Sequence, residues 1–378
     1  MTSILTLNAG SSSLKFAVYQ SGACAASGQV EQLGPAAILK LDKGGKRELG
    51  ATDHARALSE ILTEIGHVTD GAPVNAVGHR IVHGGVDFSE PMRLTETVIQ
   101  KLKLLIPLAP LHQPHNLESV KAAIAAFPDA VQVGCFDTAF HRSHPWVNDT
   151  FALPRRYYDA GVRRYGFHGL SYHYITDYVR GNYPKLADGR LVIAHLGNGA
   201  SMCAVQYGQS VASTMGFSAL DGLPMGTRCG QLDPGVMLYL LDHEKLGANE
   251  ISNLLYKESG LLGLSGVSSD MRTLEASNDP KATEAIDYFV FRITREIGAM
   301  AASMGGIDAL IFSGGIGENS ATIRKRVADS VRFLGIECDD ARNESGAEDF
   351  GKGQVRLMRI ETDEEQVIAD ACAAILNE

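Results

Sequence analysis

Two charged residues lie where charge is costly. Arg80 interrupts the apolar run Val77-Gly78-His79-Arg80-Ile81-Val82, and Asp137 sits in Val133-Gly134-Cys135-Phe136-Asp137-Thr138-Ala139-Phe140. Such a charge is expensive unless it meets a partner, a metal or a ligand. Two further residues are framed by glycine: His168 in Tyr165-Gly166-Phe167-His168-Gly169, and Arg228 in Met225-Gly226-Thr227-Arg228-Cys229-Gly230. Singly, each has a plain structural reading: Arg80 and Asp137 as a buried ion pair, His168 as a core histidine. Together, two arginines, a histidine and carboxylates are what phosphoryl transfer needs, since there the protein mostly positions groups and neutralises charge.

Two turns of small residues carry the second signal. Asn8-Ala9-Gly10-Ser11-Ser12-Ser13 lies between the strand-like runs Ile4 to Leu7 and Leu14 to Tyr19. Gly197-Asn198-Gly199-Ala200-Ser201 lies between Leu191 to Leu196 and Met202 to Val205. In such turns backbone N–H groups converge on one spot, which suits phosphate oxygens. The hydroxyls of Ser11 and Ser13 add donors, and Lys15 adds a point charge. A third loop, Gly314 to Ser320, strengthens the case for a nucleotide. Gly10 and Gly199 stand 189 residues apart, half of the 378-residue chain, which suggests two related halves.

Other signatures are missing. Neither Gly45-Lys46 nor Gly351-Lys352 continues into Ser or Thr, so there is no P-loop, and no G-x-S-x-G nucleophile elbow occurs. Asp349-Phe350-Gly351 spells the metal-binding triplet of protein kinases but lacks their glycine-rich loop and His-Arg-Asp segment. His79 and His83 are four apart in a stretch that reads as strand, so both are taken as structural.

These groups must be held by an α/β framework. Asp53 to Ile65 and Asn116 to Phe127 read as helices, and Asp233-Pro234 and Asp279-Pro280 each read as an N-cap followed by proline at the first helical position. Ile307 to Phe312 and Gln354 to Ile360 read as strands, Gly314 to Gly317 as a turn, and Thr362 with Glu365 as a capping box for a last helix. Glycine is about 11% of the chain, 40 of 378, against roughly 7% in ordinary proteins, and it has no collagen period. The net charge of −10 argues against a nucleic-acid face. The chain has no run long enough to span a bilayer and no signal-peptide pattern, so no membrane is expected. Six cysteines without a C-x-x-C pair fit free thiols in a cytoplasmic protein.

The motifs, read in order, resemble the acetate kinases of the acetate and propionate kinase family. They are N-A-G-S-S-S-L-K-F from Asn8, G-H-R-I-V-H-G-G from Gly78, L-A-P-L-H from Leu108, F-D-T-A-F-H from Phe136, Y-G-F-H-G from Tyr165, H-L-G-N-G-A-S from His195, M-G-T-R-C-G from Met225 and G-G-I-G-E-N-S from Gly314. The resemblance spans nearly the whole chain. It implies two duplicated actin-like ATPase (ribonuclease H-like) α/β domains with the nucleotide in the cleft between them. The expected division is residues 1–140 plus 365–378 and residues 141–364. It also implies reversible transfer of the ATP γ-phosphoryl group to acetate, giving acetyl phosphate and ADP, with Mg2+ (or Mn2+ as a substitute) and a homodimeric enzyme. A propionate kinase is the alternative, and a sugar or polyol kinase of the same superfamily a more distant one.

Carried onto this chain, the family pattern puts Asn8 near the transferring phosphate and, with Glu364, near the metal. Arg80 and Arg228 would clamp the phosphoryl group and the carboxylate. His168 would bond the equatorial oxygens, Asp137 would orient substrate or metal, and His112 would support the phosphoryl path. His195, Leu196, Gly197, Asn198 and Gly199 fall on the second phosphate loop. Asp270, Met271, Arg272, Gly314, Gly315, Ile316, Gly317 and Asn319 fall on nucleotide-binding positions. Val82, Leu111, Phe167 and Ala219 would form the acyl pocket. At Ala219 the family usually has proline, and the smaller residue leaves room for one more methylene, worth about 1–3 kcal/mol of discrimination.

Overall fold

The structure is a computed structural model that describes residues 2–10, 13–42, 44–68, 73–110 and 112–378. Ser11 and Leu111, two of the expected site residues, lie outside the described residues. The chain divides into two compact units, Met1–Phe140 with Asp363–Glu378, and His141–Thr362. Asp363 and Glu364 thus go with the first unit, two residues earlier than the expected boundary.

Among the described residues of the first unit, strands β1 (Ser3–Ala9), β2 (Ser13–Gln20), β3 (Ala23–Glu31), β4 (Gly34–Leu41), β5 (Gly45–Thr52), β6 (Ala76–Ile81), β7 (Met92–Arg93) and β8 (Val131–Phe136) form one sheet in the order β5-β4-β3-β2-β1-β6-β8-β7. Every residue of β1 is buried, as a central strand covered on both faces requires. One face presents Leu5, Leu7, Ala9, Phe16 and Val18 to a core shared with Leu58, Ile61 and Ile65 of helix His54–Val68 and Ala123 of helix Gln113–Ala126. The other face is covered by helix Glu364–Leu376. At Gly78 in β6 that helix comes so close that a β-carbon would stand 2.3 Å from Ile368 and 2.6 Å from the Cys372 sulfur. A side chain there would push the helix off the sheet.

The second unit has β9 (Arg190–Leu196), β10 (Ala200–Gln206), β11 (Gln209–Ser213), β12 (Ala309–Ser313) and β13 (Arg356–Arg359) in the order β11-β10-β9-β12-β13. Helix Pro280–Met304 packs on β9, β10 and β11. From β3 to β8 through β2, β1 and β6, successive pairs are antiparallel, antiparallel, parallel and parallel. The pairs from β11 to β13 repeat that sequence. The same five-strand topology therefore occurs twice, and in both copies a small-residue turn joins the first two strands.

Asp233 and Asp279 accept bonds from Gly235 N–H and Lys281 N–H, so both Asp-Pro pairs open helices as expected. Two local readings need correction. Gly314 to Gly317 is not an open turn but the start of helix Gly314–Asn319, because β12 passes into helix without a loop. The last helix is capped not by Thr362 but by Asp363, whose carboxylate accepts the Gln366 N–H at 2.9 Å.

Three buried histidines make stability depend on pH. Burial pushes His79 and His141 down to about 4, and burial with the neighbouring His141 and Arg142 pushes His144 to about 2. Each is neutral in the fold and titrates near 6.5 once unfolded, so the unfolded chain binds more protons as pH falls below that value. Stability is expected to drop between pH 6.5 and about 4 by up to about 1.4 kcal/mol per pH unit for each histidine. Urea midpoints at pH 7, 6 and 5 check this, and a flat series would refute it.

Candidate functional site

In the first unit the site grows from strand ends. β1, β6 and β8 run parallel, and Asn8, Arg80 and Asp137 stand at or just beyond their carboxyl ends, where open α/β sheets hold ligands. Arg80 pairs with Cys135 in the ladder, which sets its side chain beside Asp137 two residues on. The guanidinium takes the carboxylate in a fork: Nε to Oδ1 at 2.9 Å and Nη2 to Oδ2 at 2.6 Å. Nη1 donates to Asn8 Oδ1 at 3.0 Å and lies 3.7 Å from Glu364. Asn8 Nδ2 in turn reaches Glu364 at 3.3 Å and Glu365 at 3.4 Å. The plain reading of Arg80 and Asp137 as an ion pair is thus realised. Asp137 is 1% exposed and Arg80 23%.

Burial works against the Arg80 charge, but Asp137 and then Glu364 outweigh it and hold the guanidinium firmly protonated. Burial pushes the Asp137 carboxyl up, against the pull of Arg80. Burial and the neighbouring Glu364 also push Glu365 above the usual carboxylate range, and Lys15 draws it back. Lys15 stands opposite Asn8 in the β1–β2 ladder and lines a cavity of about 330 Å³ with Asp363 and Glu365. Its charge therefore bears on the Glu365 carboxylate. The Gly10 turn is closed by Gly10 N–H to Ser13 O at 2.8 Å, and the His54 ring holds the Gly10 carbonyl at 2.7 Å.

Buried Asn116 accepts the Val82 N–H at 2.9 Å and donates to the Ala9 carbonyl at 2.7 Å, pinning two loop starts together. His112 occupies the N-cap position of helix Gln113–Ala126.

In the second unit, β9, β12 and β13 also run parallel, and the glycine segments follow the carboxyl ends of β9 and β12. His168 is the N-cap of helix Gly169–Asn182, and its Nδ1 lies 2.8 Å from Ser201 Oγ on β10. A β-carbon on Gly199 would be 3.4 Å from His168 Nε2 and 3.8 Å from an Arg228 nitrogen. The open face of Gly199 is therefore where these two residues converge. Arg228 donates to the Ala219 carbonyl at 3.1 Å, so Ala219 supports an arginine as well as being an expected pocket residue. Phe167 is buried, and its carbonyl lies 3.0 Å from His141 Nε2.

A cavity of about 550 Å³ is lined by Gly197, Asn198, Asp270, Met271, Arg272, Gly315, Ile316 and Asn319, eight of the expected nucleotide-binding residues. Ser320, the end of the third loop, lines it too, and so do Ser269 and Glu275, which were not among the expected residues. Gly314 has φ +73, and a β-carbon there would be 2.8 Å from the Leu196 carbonyl, so glycine alone fits. Asp270 caps helix Met271–Glu275 and pairs with Arg272, which holds its carboxyl below the usual range.

A family model described as the Acetokinase family matches residues 3–370. The chain belongs to the acetokinase family. A relative from Methylocella silvestris named acetate kinase is 52% identical, covering 99% of this chain and 98% of its own length. One from Rhodopseudomonas palustris with the same name is 47% identical, covering 97% and 96%. Among solved structures, Porphyromonas gingivalis acetate kinase matches with a TM-score of 0.89 at 40% identity, covering all of both chains. A propionate kinase from Francisella tularensis matches with a TM-score of 0.92 at 34% identity, covering 98% of this chain and 99% of its own. The fold is accordingly the actin-like ATPase fold.

Kinases of this family act on ATP or ADP with a divalent metal. The donor set fits such an ion. Glu364 and Glu365 are adjacent carboxylates whose mutual repulsion a hard cation would relieve. Among the described residues no group of three or more His, Cys, Asp or Glu side chains could hold a metal. An ion here would keep water and phosphate oxygens as its other ligands, as magnesium commonly does. In the sequence Glu365 reads as half of a capping box, which conceals its place beside Asn8. Ser201 reads in the sequence only as the end of the second turn and Asn116 only as a helix start, since a small polar side chain acquires a partner only from what faces it.

Proposed function

We propose that this protein transfers the γ-phosphoryl group of ATP to acetate, giving acetyl phosphate and ADP, by direct in-line displacement with Mg2+. An acetate oxygen attacks the γ-phosphorus as the bond to the ADP oxygen breaks. Acetate is already ionised at neutral pH, so no general base is required. Arg80 and Arg228 neutralise the carboxylate and the developing phosphoryl charge, and His168 donates to its equatorial oxygens. A divalent cation held by Glu364, Glu365 and Asn8 would supply further neutralisation of the phosphates. ADP would occupy the cavity beside Asp270 and Ile316.

The observation that carries this reading is the state of Asp137. A sugar or polyol kinase needs a carboxylate able to take a proton from a hydroxyl. Burial raises the Asp137 carboxyl, but both its oxygens are held in a fork by Arg80, and that geometry suits a counter-ion rather than a base. Propionate stays the second reading, favoured by Ala219 in place of the family's proline. Trapping the acyl phosphate with hydroxylamine, with acetate, propionate, butyrate and glycerol as acceptors, tests both. Acetate is expected to give the highest kcat/KM; a clear preference for propionate would replace it, and activity only on glycerol would overturn the reaction.

A homodimer is supported by helix Pro234–Asp242, where Leu238 is 60% and Tyr239 51% exposed. Sedimentation should give twice the chain mass, and a monomer at micromolar concentration would refute it. No helix among the described residues is long and apolar enough to cross a membrane. All six cysteines are unpaired, which supports a reducing, cytoplasmic setting.

A further inference from the structure

The rings of His168 and His195 stack with centroids 4.3 Å apart and planes 22° from parallel. A cross-brace of serines holds them. His168, at the start of helix Gly169–Asn182, bonds through Nδ1 to Ser201 on β10, and His195 on β9 bonds through Nδ1 to Ser171 in the helix, both at 2.8 Å. Ser201 also faces His195 directly in the β9–β10 ladder. Behind it, the Tyr172 hydroxyl meets the same Ser201 oxygen. Ser171, Tyr172 and Ser201 are all 0% exposed.

The order of protons in this chain follows from the two hydroxyls. A phenol is a stronger donor and a poorer acceptor than an aliphatic alcohol, because its lone pair is drawn into the ring. Burial also pushes the Tyr172 phenol well above its usual range, so it keeps its proton. Tyr172 O–H is therefore the better donor to Ser201 Oγ, which leaves the serine's own O–H to donate to His168 Nδ1. With that lone pair taken, the proton of the neutral ring lies on Nε2, the atom nearest the open face of Gly199. His168 is also held at φ +57, a left-handed conformation that persists in a residue with a β-carbon only where its surroundings enforce it.

We propose that Ser201 and Tyr172 are positioning residues for phosphoryl transfer, presenting His168 as a neutral Nε2–H donor toward the Gly197–Gly199 turn. The assignment rests on the reaction proposed above. It gives the second unit a relay in which each member fixes the next, as groups behind a working imidazole do elsewhere.

Tyr172→Phe removes one oxygen and keeps the ring, and Ser201→Ala removes the link itself. With ATP and acetate, kcat is expected to fall by about tenfold in the first variant and about 10–100-fold in the second. KM for ATP should stay within about twofold of wild type. In protein labelled with 15N-histidine, the His168 signal, identified by its loss in His168→Gln, should report the Nε2–H tautomer in wild type and a mixture in Tyr172→Phe. A merely structural role would shift KM, kcat and thermal midpoint together and leave the tautomer alone. Unchanged kcat in both variants, or an Nδ1–H tautomer in wild type, overturns the relay. Wild-type protein that forms no acyl phosphate overturns the reaction itself, whereas normal turnover with unaffected variants overturns only the relay.

Discussion

Arg80→Ala should lower turnover by about a thousandfold or more and lower the unfolding midpoint as well. The first effect follows from removing the cation proposed to stabilise the transferring phosphoryl group, where single arginines are worth about 10³–10⁵. The second follows from Asp137. Its carboxylate is 1% exposed and loses both arms of its fork when the guanidinium goes. Leaving a buried charge without its partner costs about 3–5 kcal/mol, whereas removing both charges together is often close to neutral. The double variant Arg80→Met/Asp137→Leu should therefore regain much of the lost stability and none of the turnover. Single-turnover rates and urea midpoints of the three proteins decide the matter. Near-normal turnover in Arg80→Ala would remove Arg80 from the mechanism. A double variant no more stable than the single one would show that Asp137 is not paired as described.

Arg228→Ala should give the opposite balance: about a 10²–10³-fold loss in kcat/KM with a midpoint shifted by only about 1 kcal/mol. Its bond to Ala219 is to a neutral carbonyl, so its removal strands no charge at that position. Arg228→Lys should recover little of the rate, because an ammonium cannot reproduce the planar fork that grips a carboxylate or phosphoryl group. Initial rates with acetate and ATP varied in turn would read this. A kcat/KM within a few-fold of wild type in Arg228→Ala would sink its assigned role, and full recovery by lysine would reduce it to a point charge.

Much of the fold was legible because its signals are local. Asp-Pro at 233–234 and 279–280 places an acceptor and a fixed φ at a helix start, and both helices begin there. The two small-residue turns join antiparallel strands in both units, as alternating apolar runs around glycine require. The signals failed where two outcomes share one composition. Gly314-Gly315 suits either a turn or a helix entered straight from a strand, and the φ of +73 at Gly314 with its close approach to the Leu196 carbonyl explains that glycine. Thr362 and Asp363 can both cap a helix, and it is the Asp363 carboxylate that accepts the Gln366 N–H.

The amino-acid sequence named most groups of the candidate site, its two arginines, Asp137, Glu364, His168 and the glycine runs, but not Glu365, Ser269 or Glu275. Two turns of the same grammar half a chain apart suggested a duplication, which the repeated strand order shows. What the sequence left open was how those groups meet. Arg80 and Asp137 are 57 residues apart, and nothing local distinguishes a counter-ion from a base. The parallel register of β6 and β8 joined them, and it brought Asn8 beside them from the neighbouring β1. Ser201 became a partner of His168 by facing a helix start across its sheet. Side-chain chemistry is written residue by residue, but a group's protonation and its role depend on partners that only strand order and register bring within hydrogen-bonding distance.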